Sequence, residues 1–210
     1  MIGGRNHSRE SGFSMIELAV VCIIAVTIVS IALYQLLPAW QTARADNAAR
    51  IITAQLRQAR EYSIANRRYV QVQISTVANQ PQIVITQKNT LTPGGGAADV
   101  VVSTVYLTAP MQLAVYAGIP DTPDGFGNSA AVAFKIEGTS TASTSYYFQS
   151  DGQFVDSTTY QPVDGTISID STSNQKASAR AVTVMGATGR VHAWRPTGSG
   201  STATTVWTQY

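Results

Sequence analysis

The chain has very few of the side chains on which most enzyme active sites depend. Its 210 residues include one cysteine and two histidines. With Cys22 alone, no intramolecular disulfide and no cysteine metal cluster can form. His7 lies close to the N-terminus, so a chain shortened there would keep only His192, which removes most metal sites and most histidine-based nucleophile arrangements. We therefore expect no enzyme activity, no metal and no cofactor.

Charged residues are also scarce, and their absence is concentrated in one stretch. They make up 12% of the chain, and the formal net charge of +2 is too small to indicate a partner. No charged residue lies between Glu17 and Arg44. As a helix, residues 13–37 would be about 37 Å long at about 1.5 Å per residue. That exceeds a hydrocarbon core of about 30 Å, so the sequence predicts a membrane-spanning helix at 13–37.

The charges that flank this segment predict its orientation. Arg5 and Arg9 lie on its N-terminal side, so positive charge favours a cytoplasmic N-terminus and an external C-terminal region. Arg44 and Arg50 follow the segment closely and weaken this asymmetry.

Glu17 is the one acidic residue at the beginning of the apolar run. A carboxylate costs about 2.5–3.5 kcal/mol at the centre of a bilayer, and less near its surface, so such a residue suggests a function and a partner. No Lys or Arg within the predicted helix can pair with it. A free α-amino group would be a suitable partner, and Phe13 would carry one if the chain were cleaved after Gly12. Alternatively, Glu17 only marks the membrane surface of a plain signal anchor.

Segment 12–18, Gly-Phe-Ser-Met-Ile-Glu-Leu, resembles the processing and assembly motif of type IV pilins and pseudopilins. The resemblance implies cleavage between Gly12 and Phe13 by a prepilin peptidase, which removes a cytoplasmic leader at 1–12, and N-methylation of Phe13. It also implies that Glu17 neutralises the N-terminal amine of a neighbouring subunit. A conventional secretory signal with cleavage near Ala32 is the competing interpretation, but the polar leader and Glu17 argue against it.

Beyond the membrane segment, the sequence predicts that the helix continues as an amphipathic helix over 38–68. Apolar and small residues recur every three or four positions, which places them on one face: Ala48, Ile52, Leu56, Ala59 and Ser63. The opposite face carries charge: Arg50, Arg57, Glu61 and Arg68. We expect the apolar face to pack on a sheet. The basic face could contact nucleic acid, but a solvated or subunit-facing surface is the expected default.

From residue 69 the pattern alternates, which predicts strands. The predicted strands are 69–74, 82–86, 100–107, 112–116, 131–136 and 145–148. Asp151-Gly152 predicts a hairpin turn before Phe154, Asp164-Gly165 a turn into 166–169, and 186–189 a turn between 181–184 and 190–194. Residues 87–129 are expected to form a loop-rich insertion and 196–205 a mobile tail, after which Val206 and Trp207 could dock on the domain or on a neighbour. The fold class is α+β, with the helix packed on an antiparallel β domain at 69–210.

Two groups of residues invite a binding interpretation and favour a structural one. Asp121, Asp124 and Asn128 are oxygen ligands of the kind that calcium prefers. Their spacing is not that of an EF-hand, and Pro and Gly among them are typical of an ordinary loop. The aromatic residues around the Asp151-Gly152 turn indicate core and cross-strand packing: Tyr146, Tyr147, Phe148 and Phe154.

Two landmarks in the C-terminal half resemble the GspH/FimT branch of the pilin-like family. They are a Phe-x-x-Asp-Gly hairpin at 148–152 and a Gly-Arg-Val strand at 189–191. The resemblance implies a minor subunit with a long N-terminal helix packed on β-sheets, and it does not extend to 87–129.

Some members on the FimT side bind DNA through a Gly-Arg-x-Arg element. Here Arg190 is present, His192 replaces the second arginine, Arg195 lies nearby as a substitute, and Trp194 could stack on a base. DNA is the less favoured partner, because Lys and Arg are sparse in the β domain and phosphate neutralisation needs several cations.

The resulting expectation is a minor pseudopilin of a type II secretion pseudopilus. The alternatives are a type IV pilus minor pilin, for pilus assembly or DNA uptake, and a membrane-anchored periplasmic binding domain that never polymerises. The implied partners are other pilins or pseudopilins, the prepilin peptidase, the inner-membrane assembly platform and, before assembly, membrane lipid. The implied location is the inner membrane, crossed once, with the β domain in the periplasm.

Overall fold

The computed structural model describes residues 14–89, 98–172, 176–197 and 206–210. One long helix precedes a set of antiparallel strands, so the layout is α+β. The chain divides into two compact units, Met1–Trp40 and Gln41–Tyr210. The elements are α1 (Met15–Asn66), β1 (Tyr69–Val77), β2 (Gln80–Lys88), β3 (Val100–Tyr106), β4 (Met111–Leu113), β5 (Val132–Ile136), β6 (Tyr146–Phe148), β7 (Phe154–Asp156), β8 (Val163–Ser171), a 3₁₀ turn (Lys176–Ser178), β9 (Arg180–Met185), β10 (Arg190–Thr197) and β11 (Val206–Gln209).

The first part of α1, residues 15–40, is apolar and exposed. It is long and apolar enough to cross a membrane, and none of its most apolar stretch is buried inside the protein. Its two aliphatic hydroxyls bond back to the helix, Thr27 to the carbonyl of Ile24 at 2.8 Å and Ser30 to that of Val26 at 2.7 Å. Such bonds satisfy polar side chains where water is absent.

The second part of α1, residues 41–66, supplies one wall of the main hydrophobic core. The five residues of the predicted apolar face are all buried, which confirms the predicted periodicity: Ala48, Ile52, Leu56, Ala59 and Ser63. The four residues of the charged face are exposed, also as predicted. The helix ends at Asn66, two residues before the predicted boundary, because Arg67 adopts a φ of 50°. Bonds from Arg67 N to Ile64 O and from Arg68 N to Ser63 O complete a Schellman cap.

The strands form two antiparallel sheets. The first has the order β3-β2-β1-β6-β7, and the second has the order β11-β10-β9-β8-β4, with β5 also paired to β8. Apolar side chains from both sheets and from α1 meet in a single core cluster, which includes Ile52, Ile85, Phe148, Ile167 and Val191. β8 lies near the centre of the second sheet and is buried at every position but one.

Two of the predicted hairpins are confirmed. β6 and β7 pair across the Asp151-Gly152 turn, with Phe148 opposite Phe154. β9 and β10 pair across 186–189, with Arg190 opposite Met185. Three of the four aromatic residues predicted to pack near the first turn are core residues: Tyr146, Phe148 and Phe154 form one connected cluster of rings with Phe134, with centroids of contacting pairs 4.4–5.4 Å apart. Tyr147 points to the other face of β6 and is half-buried.

The predicted turn at Asp164-Gly165 is wrong, because both residues lie inside β8. Gly165 allows β5 to pack closely against this strand: a Cβ there would stand 2.4 Å from the carbonyl oxygen of Ala133 and 2.2 Å from the ring of Phe134. Asp164 accepts a hydrogen bond from the backbone N–H of Gly186, at 2.7 Å. The Asp-Gly pair therefore serves strand packing and not chain reversal.

The strand predicted at 100–107 is confirmed as β3, and the strand predicted at 112–116 is shorter and begins one residue earlier, as β4. The tail expected to be mobile also contains strand residues. Within 87–129, β3 pairs with β2 and β4 pairs with β8, so this region contributes a strand to each sheet. In the tail, Pro196 and Thr197 belong to β10, and Val206 and Trp207 begin β11, which pairs with β10. Docking of this end on the domain is therefore confirmed. The remainder of the tail, 198–205, lies outside the described residues.

Candidate functional site

The proposed processing site is only partly within the described residues. Gly12 and Phe13 lie outside them, so cleavage and methylation stay predictions. Glu17 lies in the first turn of α1 and is exposed. Ser14 accepts the first helical hydrogen bond, from Leu18 N at 3.1 Å. Ser14 and Glu17 thus have the spacing of a capping box, and a carboxylate here is favoured by the helix dipole.

The loop at 121–128 is built as an ordinary turn. The carboxylate of Asp121 accepts hydrogen bonds from the backbone N–H groups of Thr122 and Gly127, at 2.7 and 2.8 Å. Asn128 donates its side-chain amide to the carbonyl of Ile119, at 2.8 Å. Across the described ranges no three His, Cys, Asp or Glu side chains are grouped to hold a metal ion.

The four residues of the predicted DNA element do not form a common surface. Successive residues of β10 point to opposite faces of the sheet, so Arg195 faces away from Arg190, His192 and Trp194. Trp194 is 7% exposed, in a small second cluster with Trp207. Its indole N–H donates to Thr183 Oγ1 at 2.9 Å. The stacking role predicted for Trp194 is therefore wrong, because its ring is part of the core.

His192 is also committed to an internal contact. Its Nδ1 lies 3.2 Å from Oδ2 of Asp124, and the same carboxylate oxygen accepts a hydrogen bond from Thr183. The ring meets Trp194 edge-on, with centroids 5.9 Å apart. This network links the 121–128 loop to β9 and β10. His192 therefore contacts the carboxylate of Asp124, which favours a structural role over the predicted contact with DNA.

Arg195 lies beside an acidic residue of α1. Its Nε is 3.8 Å from Oδ1 of Asp46, and its guanidinium lies over the ring of Tyr210, 5.2 Å from the centroid. The same Asp46 oxygen accepts a 2.7 Å hydrogen bond from Arg180, whose side chain is fully buried. Arg180 also donates to the carbonyls of Ala177 and Ala179. This ion pair, in which Arg180 is buried and Asp46 is partly exposed, attaches α1 to β9.

The two C-terminal landmarks meet at one junction beside α1. Arg60 Nε donates to the carbonyl of Gly152 at 3.2 Å. Ser63 Oγ donates to Gln149 O at 2.9 Å. Gly189 has a φ of 63°, and a Cβ there would stand 2.0 Å from the oxygen of Gly152. The Phe-x-x-Asp-Gly hairpin and the Gly-Arg-Val strand are therefore parts of a single packed structure.

A cleft of about 300 Å³ opens next to this junction. We call it the arginine cleft. It is lined by Arg57, Arg60 and Glu61 of α1 and by residues of the last two strands and the turn before them: Gly189, Arg190, Val191, His192 and Gln209. Arg57 Nη2 donates a long hydrogen bond, 3.4 Å, to the carbonyl of Val191. Three arginines and Glu61 among the lining residues give the cleft a formal net charge of +2.

Sequence reasoning identified only part of this cleft. Arg190 was a candidate residue, and Arg57 and Glu61 were placed on the charged face of α1, but Arg60 was missed. The spacing of 57, 60 and 61 puts all three on neighbouring positions of a helix surface, and that was the available signal. Nothing local indicated that Arg190, more than 120 residues later, would line the same cleft.

Comparison with protein-family models, with curated proteins and with solved structures finds no match for this chain.

Proposed function

We propose that this protein is a minor pseudopilin, a structural subunit of a type II secretion pseudopilus. One observation carries the proposal: α1 runs 52 residues, and no charged residue lies between Glu17 in its first turn and Arg44. A helix that is apolar on all sides needs lipid or other helices around it. The pilin-like motif at 12–18 supports both environments, lipid before assembly and neighbouring helices in a fibre.

The proposed mechanism is assembly. The first part of α1 is held in the inner membrane, with the β domain in the periplasm, until the assembly platform transfers it into a fibre. There, apolar helices from neighbouring subunits replace lipid around residues 15–40. Glu17 then faces the α-amino group that cleavage before Phe13 creates on a neighbour. An ion pair removed from water is stronger than one in water. This contact would therefore fix the position at which each subunit inserts into the fibre.

Two experiments test the proposal. Mass spectrometry of the membrane-extracted protein is expected to find a mature N-terminus at methylated Phe13; an unprocessed Met1, or a start near Leu33, would contradict it. Glu17→Ala is expected to abolish incorporation into sheared fibres while membrane insertion persists. Thr27→Ala, a polar change in the same segment, is the matched control and should assemble normally.

The same α1 also suits a minor pilin of a type IV pilus. Fractionation distinguishes the two fibres: a pseudopilus subunit should co-purify with secretion pseudopilins, and a pilus subunit with the major pilin. Insertion into the membrane without entry into either fibre would instead indicate a membrane-anchored domain that does not polymerise.

A further inference from the structure

Two buried hydroxyls of the β domain make no hydrogen bond to the residues that the structure describes. They are Thr122 Oγ1, in the loop at 121–128, and Thr166 Oγ1, in β8. The two residues are only 4% and 1% exposed. A buried hydroxyl without a partner destabilises a fold, so most such groups bond either to protein or to an ordered water. These two hydroxyls therefore need a partner.

Both threonines line one small cavity beside the second sheet. Ile167 belongs to the main core, so the alternation of a strand places the side chain of Thr166 on the opposite face of β8. Ser168 shares that face and is paired with Ala181 of β9. Ala181 belongs to the small second cluster, and four residues of this cluster line the cavity with the threonines: Ile119, Ala179, Ala181 and Trp207. The cavity therefore lies on the face of β8 that carries the Thr166 hydroxyl.

The loop is held in place on both sides of Thr122. Before it, the carbonyl of Pro120 accepts a hydrogen bond from the indole N–H of Trp207, at 2.9 Å. After it, the carboxylate of Asp124 accepts a hydrogen bond from Thr183 of β9. Because these contacts fix the backbone on either side, the loop has little freedom to bring the Thr122 hydroxyl to a protein partner.

We propose that this cavity binds a single structural water molecule, which bridges the hydroxyls of Thr122 and Thr166. The cavity volume of about 10 Å³ is about that of one water-sized sphere, so it holds one water and no organic ligand. A buried water makes about two to four hydrogen bonds. The two threonines supply two of them, and Ser168 and Asn128 are further polar residues of the lining. The water joins the loop at 121–128 to β8.

The charges around the cavity favour a neutral ligand. Among the described residues that line it, Arg180 is the one with a charge. Its guanidinium is paired with Asp46 at 2.7 Å and also donates to backbone carbonyls. No carboxylate of the lining attracts a cation, and the one guanidinium already has an acidic partner. Water is therefore favoured over an ion, and the inference concerns the packing of the β domain, independently of the proposed function.

NMR of the full-length protein in detergent micelles detects the water directly. A water that stays bound for longer than the protein takes to rotate gives cross-peaks of opposite sign in NOE and ROE spectra. We expect such cross-peaks from water to the methyl and amide protons of Thr122 and Thr166. In Thr166→Val those at Thr122 should disappear, although Thr122 keeps its own hydroxyl. Absence of the cross-peaks in the unmodified protein, or their persistence at Thr122 in Thr166→Val, would overturn the proposal.

Stability gives a second test, because bridged and unbonded hydroxyls predict opposite signs. Removing an unbonded buried hydroxyl should stabilise the fold. Removing a bridged one leaves the water and the other threonine short of a partner, so Thr122→Val and Thr166→Val are each expected to lower the midpoint of urea unfolding by about 0.5 M. The double variant should lose less than the sum of the two, since both hydroxyls share one water. A rise of the midpoint in either single variant, or strictly additive losses, would contradict the bridge.

Thr53 in α1 provides the matched control. Its buried hydroxyl also makes no hydrogen bond within the described part of the chain, but it does not line the cavity. Thr53→Val makes the same chemical change away from the proposed water, so it should leave the urea midpoint unchanged or raise it. It should also leave the water cross-peaks of Thr122 and Thr166 in place.

Discussion

The two parts of α1 have similar secondary structure and opposite surfaces. Among the side chains that the structure describes in residues 15–40, the large apolar ones are exposed on every side, and Leu33 is 57% exposed. In residues 41–66 the apolar side chains form one stripe, and Leu56 is completely buried. Helix formation therefore does not distinguish the two parts. The two parts differ in how apolar residues are distributed around the helix axis. An apolar stripe needs one partner surface, whereas a helix that is apolar on all sides needs an apolar environment all around it.

The largest expected effect comes from removing the same side chain in the two parts. Leu56→Ala is expected to lower the free energy of unfolding of the β domain by about 3 kcal/mol, because it leaves a cavity in the core. Leu33→Ala should leave that free energy unchanged. Urea unfolding in micelles, followed by the fluorescence of buried Trp194 and Trp207, measures both. Equal losses would mean that residues 15–40 share the core of the β domain.

A smaller loss is expected from the ion pair between the second part of α1 and β9. Asp46→Ala leaves the buried guanidinium of Arg180 without its carboxylate, and breaking such pairs is strongly destabilising. Asp46 is partly exposed, so we expect about 2 kcal/mol in the same urea experiment. Asp99→Ala, which removes an exposed partner of Lys88, is the control and should change little. A negligible effect of Asp46→Ala would mean that the carbonyls around Arg180 suffice.

Acid is expected to unfold the β domain by protonating carboxylates that accept hydrogen bonds in the folded state. Residues 15–40 contain one carboxylate, that of Glu17, so the effect is expected to arise in the β domain. Burial favours a raised pKa for Asp156, but hydrogen bonds from Ser143 and from the N–H groups of Thr158 and Thr159 outweigh it and lower the pKa. A lowered folded-state pKa stabilises the protein above the unfolded pKa, and this stabilisation is lost as pH falls through the folded value.

Ser143→Ala removes a 2.7 Å hydrogen bond to Asp156. It is expected to raise the pKa of Asp156 and to move the acid-unfolding midpoint to higher pH. Carboxyl NMR titration provides the measurement, with Asp170 as an internal reference, because burial raises the pKa of Asp170 above its ordinary value of 3.8. A pKa of Asp156 above that of Asp170 would contradict the structure.

The smallest expected effect is a gain at the end of α1. Arg67 has a φ of 50°, a conformation that glycine adopts without steric cost. Arg67→Gly is expected to stabilise the β domain by about 0.5–1 kcal/mol, because relief of about 1–2 kcal/mol of left-handed strain exceeds the entropic cost of glycine of about 0.5–1 kcal/mol. Arg68→Gly, outside the positive-φ position, should not stabilise it. A loss of stability in Arg67→Gly would indicate that the arginine side chain contributes more than the strain costs.

Local patterns predicted the local structure well. The apolar stripe of α1 and the two hairpins depend on spacing and turn chemistry within a few residues, so the sequence shows them directly. Asp164-Gly165 was misread because an Asp-Gly pair in a turn looks the same in sequence as one where β5 packs closely on β8. The stacking role of Trp194 was misread for a related reason: the residues that enclose its ring, such as Ile119 and Trp207, are distant from it in the sequence.

The sequence by itself determined that an apolar helix long enough for a membrane precedes a β-rich region, because length and polarity are properties of consecutive residues. It also determined which face of residues 41–66 would be buried. Only the tertiary structure decided that Arg180 pairs with Asp46, that Gly152 contacts Gly189, and that Arg190 lines the same cleft as two arginines of α1. Those contacts join residues far apart in the chain, and their partners are set by how two sheets and one helix pack together.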